Sequence, residues 1–295
     1  MLPEGSPVTS SLPGFTASAQ AKATPLRSHP LAEGYPPEWA QGWGEDRWGP
    51  FVEVWLEPTP LRFRWVPPGV FWMGSPDDDP EAFATERPRH PVELTWGLWL
   101  GETPVTQEQW KSVMGMNPSR HPGARRPVDT VSFDDCVRFL RAVNELLPGL
   151  DLRLPTEAEW ERACRAGGTD SRYGPLAEVA WYASNSGNRT HGVKKRRPND
   201  LGLFDMLGNV WEWCDESPRT YSSARVTDPR GPDRASRVLR GGCWNSVAGF
   251  VRAAFHRGGR RGVRDFGIGF RLARGHALQP GAVVAPAEQA DDPGE

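Results

Sequence analysis

Hydrophobic and polar residues alternate in two short stretches of the chain, 61–66 (LRFRWV) and 69–74 (GVFWMG). A period of two places successive side chains on opposite faces of an extended strand. Both stretches are therefore predicted to be β-strands. Pro67 and Pro68 lie between them and predict a turn.

Three later segments carry the signals of a helix N-terminus. Thr106, Ser132 and Thr156 are residue types that cap helices, and each is followed three positions later by Gln, Asp or Glu. The second segment has apolar residues at helical spacing, which predict one buried stripe: Phe133, Val137, Leu140, Val143 and Leu147. Beyond the third segment, Gly, Pro and Asn interrupt the chain repeatedly. The pattern favours an α+β fold with an irregular second half.

Composition along the chain predicts the domain organisation. Pro, Ala, Ser and Gly dominate both ends, so we predict a flexible leader at 1–35 and a disordered tail at 276–295. Residues 36–275 are predicted to form a single domain, and no period of about 20–50 residues indicates a repeat protein. Trp39, Trp43, Trp48 and Trp55 open this domain and are expected to pack against it.

The overall charge and hydropathy exclude several classes of partner. The chain is 38% hydrophobic and 24% charged with a formal net charge of −2, which argues against the basic surface that a nucleic-acid partner needs. No run approaches the roughly 18 apolar residues of a membrane span, so no membrane insertion is expected. The first residues lack a cationic segment followed by an apolar one. We therefore expect no Sec-type export signal and a cytoplasmic location by default.

The four cysteines give no sign of a metal or disulfide framework. Cys136, Cys164, Cys214 and Cys243 are far apart and form no C-x-x-C pair, so they are predicted to be free buried thiols. The sequence also lacks a G-x-S-x-G elbow, a phosphate-binding loop and an H-E-x-x-H helix.

Several phrases of the sequence carry a family resemblance through their order: 71–75 (FWMGS), 86–92 (ERPRHPV), 104–110 (PVTQEQW), 127–132 (PVDTVS), 153–161 (RLPTEAEWE), 202–213 (GLFDMLGNVWEW), 240–244 (RGGCW) and 269–271 (GFR). Together they resemble the formylglycine-generating-enzyme family, also called the sulfatase-modifying-factor family. The resemblance implies a C-type-lectin-like fold of the formylglycine-generating-enzyme type. In that fold, two main helices and a twisted antiparallel sheet support long irregular segments. Fold alone does not establish function.

The resemblance also bears on catalysis. Oxidase members of this family bind copper through two cysteines, and the motif places Ser246 and Val251 at those two positions. Neither side chain can be a thiolate ligand. Cys243 is a single displaced thiol, and the six histidines do not form the three-histidine iron site of a second enzymatic branch. We therefore favour a protein without catalysis. The alternative is a formylglycine-generating or related non-haem-metal oxidase with altered catalytic residues.

With copper and iron sites lacking their ligands, calcium is the cofactor that the resemblance suggests. In relatives, the segment containing Glu212 and the loop of Asn185 and Ser186 supply oxygen ligands, which suit calcium. The resemblance thus implies structural calcium at Asn185, Ser186 and Glu212. Glu212 lies between two tryptophans and is equally consistent with a paired buried charge.

A variable segment at about 243–268 is indicated by its composition. Between Trp244 and Gly269 there is no Lys, Glu, Gln, Met or Trp. These residue types cannot arise when the adenines of an asparagine codon are replaced. With its position after the G-G-x-W phrase, the segment resembles that of a variable protein from a diversity-generating retroelement, in the subclass similar to formylglycine-generating enzymes. Such proteins bind ligands through side chains that change on an unchanging scaffold.

We predict a solvent-facing patch in this segment that binds a ligand. Its residues are Asn245, Ser246, Val247, Gly249, Phe250, Phe255, His256, Gly258, Gly259, Arg260, Val263, Asp265, Phe266 and Gly267. The neighbouring residues Trp244, Arg252, Ala253, Ala254, Phe270 and Arg271 are predicted to be framework. Phe250 and Phe255 are alternatively core aromatics. Arginine and phenylalanine favour an acidic or aromatic ligand, either a protein or a small molecule. The resemblance adds display on a cell or virion surface as an alternative location.

Overall fold

The computed structural model describes residue 30 and residues 38–275. The leader and tail predicted from composition lie outside these residues, apart from Pro30. The strands are β1 Gly42–Asp46, β2 Gly49–Leu56, β3 Thr59–Val66, β4 Gly69–Met73, β5 His90–Leu94, β6 Leu98–Gly101, β7 Trp211–Trp213, β8 Val226–Thr227, β9 Ser236–Arg240, β10 His256–Arg260, β11 Ile268–Gly269 and β12 Ala273–Gly275. The helices are α1 Gln107–Met114, α2 Phe133–Leu146, α3 Glu157–Arg165 and α4 Leu176–Val179.

A five-stranded antiparallel sheet, in the order β1-β2-β3-β6-β12, forms one wall of the core. Val52 pairs with Phe63 and Val54 with Leu61, and all four side chains are buried. This face packs in one cluster with residues of α1 and α2, where Trp110 stacks on Phe139 at 5.3 Å. The alternation along the chain thus becomes one buried face of a sheet.

Both predicted strands around Pro67 and Pro68 are confirmed, as β3 and β4. They belong to different sheets. β4 pairs with β5, and β5 pairs with β8, in a three-stranded sheet. The two prolines therefore connect two sheets rather than two paired strands.

All three predicted helix starts are confirmed with their capping boxes. The hydroxyls of Thr106, Ser132 and Thr156 each accept from the backbone N–H three residues on. In α2 the predicted stripe faces the core, with Phe133, Leu140 and Val143 buried. The α+β class and the C-type-lectin-like architecture predicted from the resemblance are confirmed.

A four-stranded sheet, in the order β10-β9-β7-β11, carries the segment around 243–268. The turn into β7 requires glycine at Gly208. Its φ is +76°, and a Cβ there would lie 2.2 Å from the carbonyl oxygen of Trp181. This turn fixes where Trp211 and Trp213 enter the core, where both are buried.

Packing of the four early tryptophans is confirmed for two of them. Trp39 contacts Phe63 and Trp99, and Trp48 contacts Phe204. Trp43 and Trp55 are about half exposed, so the expectation is wrong for them. They lie on the edge strand β1 and on β2 beside it.

All four cysteines are buried and free, as predicted. In the part of the chain that the structure describes, every helix is too short or too polar to cross a bilayer.

Candidate functional site

The segment 243–268 leaves the four-stranded sheet after β9 and returns to it twice. Gly241 and Gly242 have φ values of +93° and +77° and turn the chain out of β9. The chain then forms a short 3-10 turn at Ala248–Phe250, pairs with β9 as β10, and re-enters beside β7 as β11. The irregular parts are therefore anchored at both ends by strand pairing.

The predicted patch divides by exposure. Asn245, Val247, Gly258, Arg260 and Val263 are exposed. Gly249, Phe250, Gly259, Asp265 and Phe266 are half-buried. Ser246, Phe255, His256 and Gly267 are buried, so the prediction that they face solvent is wrong. All six predicted framework residues are buried.

Phe255 is buried because three aromatic rings surround it. Its ring centroid lies 5.1 Å from that of Phe83, 4.8 Å from that of Phe250 and 5.8 Å from that of Trp211. Only 8% of the residue is exposed, whereas Phe83 is 44% exposed. Of its two alternatives, a ligand-binding residue or a core aromatic, Phe255 is the core aromatic. Phe250 lies half-buried above it.

His256 belongs to a buried ionic cluster beneath β10. Its Nδ1 is hydrogen-bonded to the Glu157 carboxylate, which also pairs with Arg240 at 2.8 Å. Burial by itself would raise the pKa of Glu157, but Arg240 and His256 hold the pKa of that carboxyl well below its ordinary value. The imidazole is therefore used inside the protein and does not face a ligand.

Ser246 and Cys243 form a small polar contact under the patch. The Ser246 Oγ accepts from the Cys243 backbone N–H at 3.0 Å, and the Cys243 Sγ donates to Asn245 Oδ1 at 2.8 Å. Burial raises the pKa of the Cys243 thiol, which disfavours the reactive thiolate. Val251, at the second cysteine position implied by the resemblance, is fully buried.

Glu212 is predicted to be either a calcium ligand or a paired buried charge, and the structure shows it paired and buried. Its carboxylate accepts from Trp160 Nε1 at 2.7 Å and forms an ion pair with Arg271 at 2.9 Å. Such pairing satisfies both oxygens of a carboxylate that is 1% exposed.

The loop of Asn185 and Ser186 is likewise held by local bonds. Asn185 Oδ1 accepts from Tyr182 N, and Ser186 Oγ accepts from Asn188 N. Across residue 30 and residues 38–275, no three His, Cys, Asp or Glu side chains cluster in a way that could hold a metal ion. Calcium at Asn185, Ser186 and Glu212 stays a prediction.

Four residues that lie in or beside this surface were not among the patch residues predicted from the sequence. Phe83 packs on Phe250, Trp211 lies beneath Arg257, and Arg120 lies over Phe266. Phe83 and Arg120 come from loops far away in the chain, and no local pattern marks them. We call the exposed and half-buried patch residues together with Phe83, Arg120 and Arg257 the tract surface, and the buried Trp211 lies beneath it.

Comparison with known proteins agrees with this architecture. Residues 58–276 match the model of the "Sulfatase-modifying factor enzyme 1-like domain". The chain belongs to this family. The Streptomyces coelicolor formylglycine-generating enzyme is 34% identical over 206 residues, which cover 59% of this chain and 63% of that protein. Chlamydia trachomatis serine/threonine-protein kinase Pkn1 is 31% identical over 261 residues, 76% of this chain and 41% of the kinase. The chain thus spans less than two thirds of either relative.

Two solved structures have a similar fold. Treponema denticola variable protein 1 superposes with a TM-score of 0.69 at 29% identity, covering 76% of this chain and 98% of that one. PvdO from Pseudomonas aeruginosa superposes with a TM-score of 0.63 at 22% identity, covering 80% and 98%. The second likeness concerns the fold alone.

Proposed function

We propose that this family member is a non-catalytic ligand-binding protein. In this proposal it is a variable protein of a diversity-generating retroelement, with a diversifiable surface in the segment 243–268. The likeness to Treponema denticola variable protein 1 supports this assignment. Further support comes from the exposure pattern, because Asn245, Val247, Arg260 and Val263 face solvent while the predicted framework is buried. Exposed side chains on an anchored backbone can change at little cost to the fold.

The observation that carries the non-catalytic role is the chemistry under the patch. Ser246 and Val251 occupy the two positions where oxidases of this family have cysteines. The one thiol of the segment, Cys243, is buried, hydrogen-bonded and has a raised pKa. A copper-binding thiolate pair cannot form from these side chains.

The ligand follows from the residues that remain exposed. Guanidinium and aromatic groups favour an acidic or aromatic partner, which is a protein or a small molecule rather than a nucleic acid. Binding of this kind requires no cofactor.

An oxidase-type enzyme with altered catalytic residues is the second candidate. It is favoured by the 34% identity to the Streptomyces coelicolor formylglycine-generating enzyme. In that case another side chain of the segment would have to replace the missing thiolates.

Two measurements distinguish these functions. Sequencing around the gene should reveal a near-copy of codons 243–272 beside a reverse-transcriptase gene, differing mainly at adenines. The purified full chain, supplied with copper or iron and a cysteine-containing peptide, should consume no oxygen. Turnover of the peptide thiol, or a locus without such a near-copy, would overturn the proposal.

A further inference from the structure

Arg257 is an exposed arginine held on an aromatic face. Its Cζ lies 4.8 Å from the centroid of the Trp211 ring. No ion pair or side-chain hydrogen bond joins it to any other described residue. A guanidinium attracted to a ring in this way still has N–H groups that can bind a carboxylate or phosphate. Arg257 is therefore positioned by the Trp211 ring and has no anionic partner among the described residues.

Arg120 repeats this arrangement near Trp244. Its Cζ lies 4.9 Å from the Phe266 ring, which in turn contacts Trp244 at 5.7 Å. The backbone N–H of Arg120 donates to Asp129 Oδ1 at 2.9 Å, which fixes the residue at this place. The guanidinium itself is exposed and forms no ion pair within the described residues.

The other arginines of the segment differ from these two. Arg261 pairs with Asp134 and Arg264 with Asp135, both on α2, so their charges are already compensated. Arg260 is exposed but has no aromatic ring beneath it among the described residues. Arg257 and Arg120 are thus the cations of the tract surface that lie over an aromatic ring and form no ion pair with a described residue, although burial raises the pKa of the Asp129 carboxyl and the charge of Arg120 opposes that rise.

Acidic groups near this surface are mostly engaged. Asp265 is half-buried, and its Oδ1 accepts from the Gly267 backbone N–H at 2.9 Å. Beside Phe83, Glu81 pairs with Arg172 and Asp79 with Arg252. The tract surface therefore has an excess of positive charge although the whole chain has a formal net charge of −2.

A partly exposed pair of aromatic rings lies near Arg257. The Phe83 and Phe250 rings lie 5.8 Å apart above Phe255, and Phe83 is 44% exposed. Phe255 in turn contacts Trp211, the ring under Arg257. A ligand on this surface therefore meets an apolar aromatic area and an arginine side by side, the residue types that dominate protein interfaces.

We propose that the tract surface binds an acidic peptide segment that carries an aromatic side chain. Arg257 and Arg120 bind its carboxylates, and Phe83 with Phe250 contacts its ring. Phe83 and Arg120 lie outside the segment 243–268, so they are constant contacts beside side chains that change. This inference rests on the proposed binding function and adds the class of ligand and the constant half of its site.

The test uses the full chain and labelled peptides in which two residues alternate. A Glu-Tyr peptide is compared with a Lys-Tyr peptide, a Glu-Ala peptide and a single-stranded oligonucleotide by fluorescence anisotropy. The Glu-Tyr peptide should bind at least about tenfold more tightly than each of the others, and its affinity should fall with added salt.

Matched variants test the named contacts. Arg257→Ala with Arg120→Ala should weaken Glu-Tyr binding by about tenfold or more and reduce its salt dependence, whereas Arg141→Ala, at an exposed arginine of α2, should not. Phe83→Ala should weaken binding, and Trp43→Ala, at a half-exposed tryptophan of β1, should leave it unchanged.

Equal binding of the Lys-Tyr peptide, preference for the oligonucleotide, absence of binding, or binding indifferent to these arginines would overturn the inference. A peptide of another chemistry could bind more tightly than the Glu-Tyr peptide, and Val247→Glu could weaken that binding. This result would overturn the inference about the ligand class but leave the proposed binding function intact. Oxidation of a peptide thiol would instead overturn the proposed function itself.

Discussion

Glu216 is a single carboxyl group whose ionisation is governed by its surroundings. It is 2% exposed, its Oε1 accepts from the Glu157 backbone N–H at 2.7 Å, and its other oxygen accepts from Gly231 N. Burial, together with the nearby Glu157 carboxylate, raises the pKa of Glu216 to about 7. The folded protein therefore holds this proton more tightly than the unfolded chain does.

The raised pKa predicts a pH-dependent effect of Glu216→Gln. Between about pH 4.5 and 7 the folded state binds more protons, so the contribution of Glu216 to stability is largest below this window and falls as pH rises through it. Because glutamine does not titrate, the variant does not lose stability in this way as pH rises. Relative to wild type, its free energy of unfolding should increase by about 2–3 kcal/mol across the window. Urea unfolding at several pH values measures the difference, and a gap that stays constant with pH would contradict the assignment.

At the scale of elements, helix α3 contributes side chains to the core and to the buried ionic cluster beneath β10. Three of its glutamates are buried, and each has an arginine partner: Glu157 with Arg240, Glu159 with Arg153, and Glu161 with Arg165. A buried carboxylate without its partner is strongly destabilising. The position of this short helix therefore depends on how it begins, at the Thr156 cap.

Removing that cap should have a measurable cost. In Thr156→Ala, the Glu159 backbone N–H loses the hydroxyl that accepts it, and the free energy of unfolding should fall by about 1 kcal/mol. Thr156→Ser keeps the hydroxyl and should retain most of the stability. Chemical denaturation of both variants checks this, and equal losses would show that the methyl group rather than the cap matters.

For the molecule as a whole, the segment and its surroundings contain two kinds of side chain, those packed in the core and those that face solvent. Trp211 and Phe255 are buried within one aromatic cluster, whereas Val247 is 57% and Val263 is 42% exposed. Both kinds of residue lie within or next to the same segment. Sequence diversity at the exposed positions is therefore compatible with a constant fold.

This separation predicts two different outcomes of substitution. Changing Asn245, Val247, Arg260 and Val263 together to alanine should lower the free energy of unfolding by no more than about 1 kcal/mol. Phe255→Ala or Trp211→Ala alone should lower it by about 3–5 kcal/mol, because each leaves a cavity in the aromatic cluster. Thermal and urea unfolding give both values. A large loss in the fourfold variant would mean that these side chains hold the frame together.

The sequence by itself determined the local elements. The capping residues Thr106, Ser132 and Thr156, the stripe of α2 and the alternation around Phe63 each act within a few residues, so their physics is readable from neighbours in the chain. The motifs that resemble the family predicted the C-type-lectin-like fold. The exposed half of the patch, such as Val247 and Val263, followed from the same analysis.

Tertiary structure alone decided what is buried and which loops meet. Phe255 and His256 are covered by Phe83 and Glu157, which lie far away in sequence, so a patch predicted from composition included two core residues. The pairing of β4 with β5 rather than β3, and the approach of Arg120 to Phe266, are likewise long-range. Burial depends on which distant side chains come together, and one-dimensional periodicity does not encode that contact.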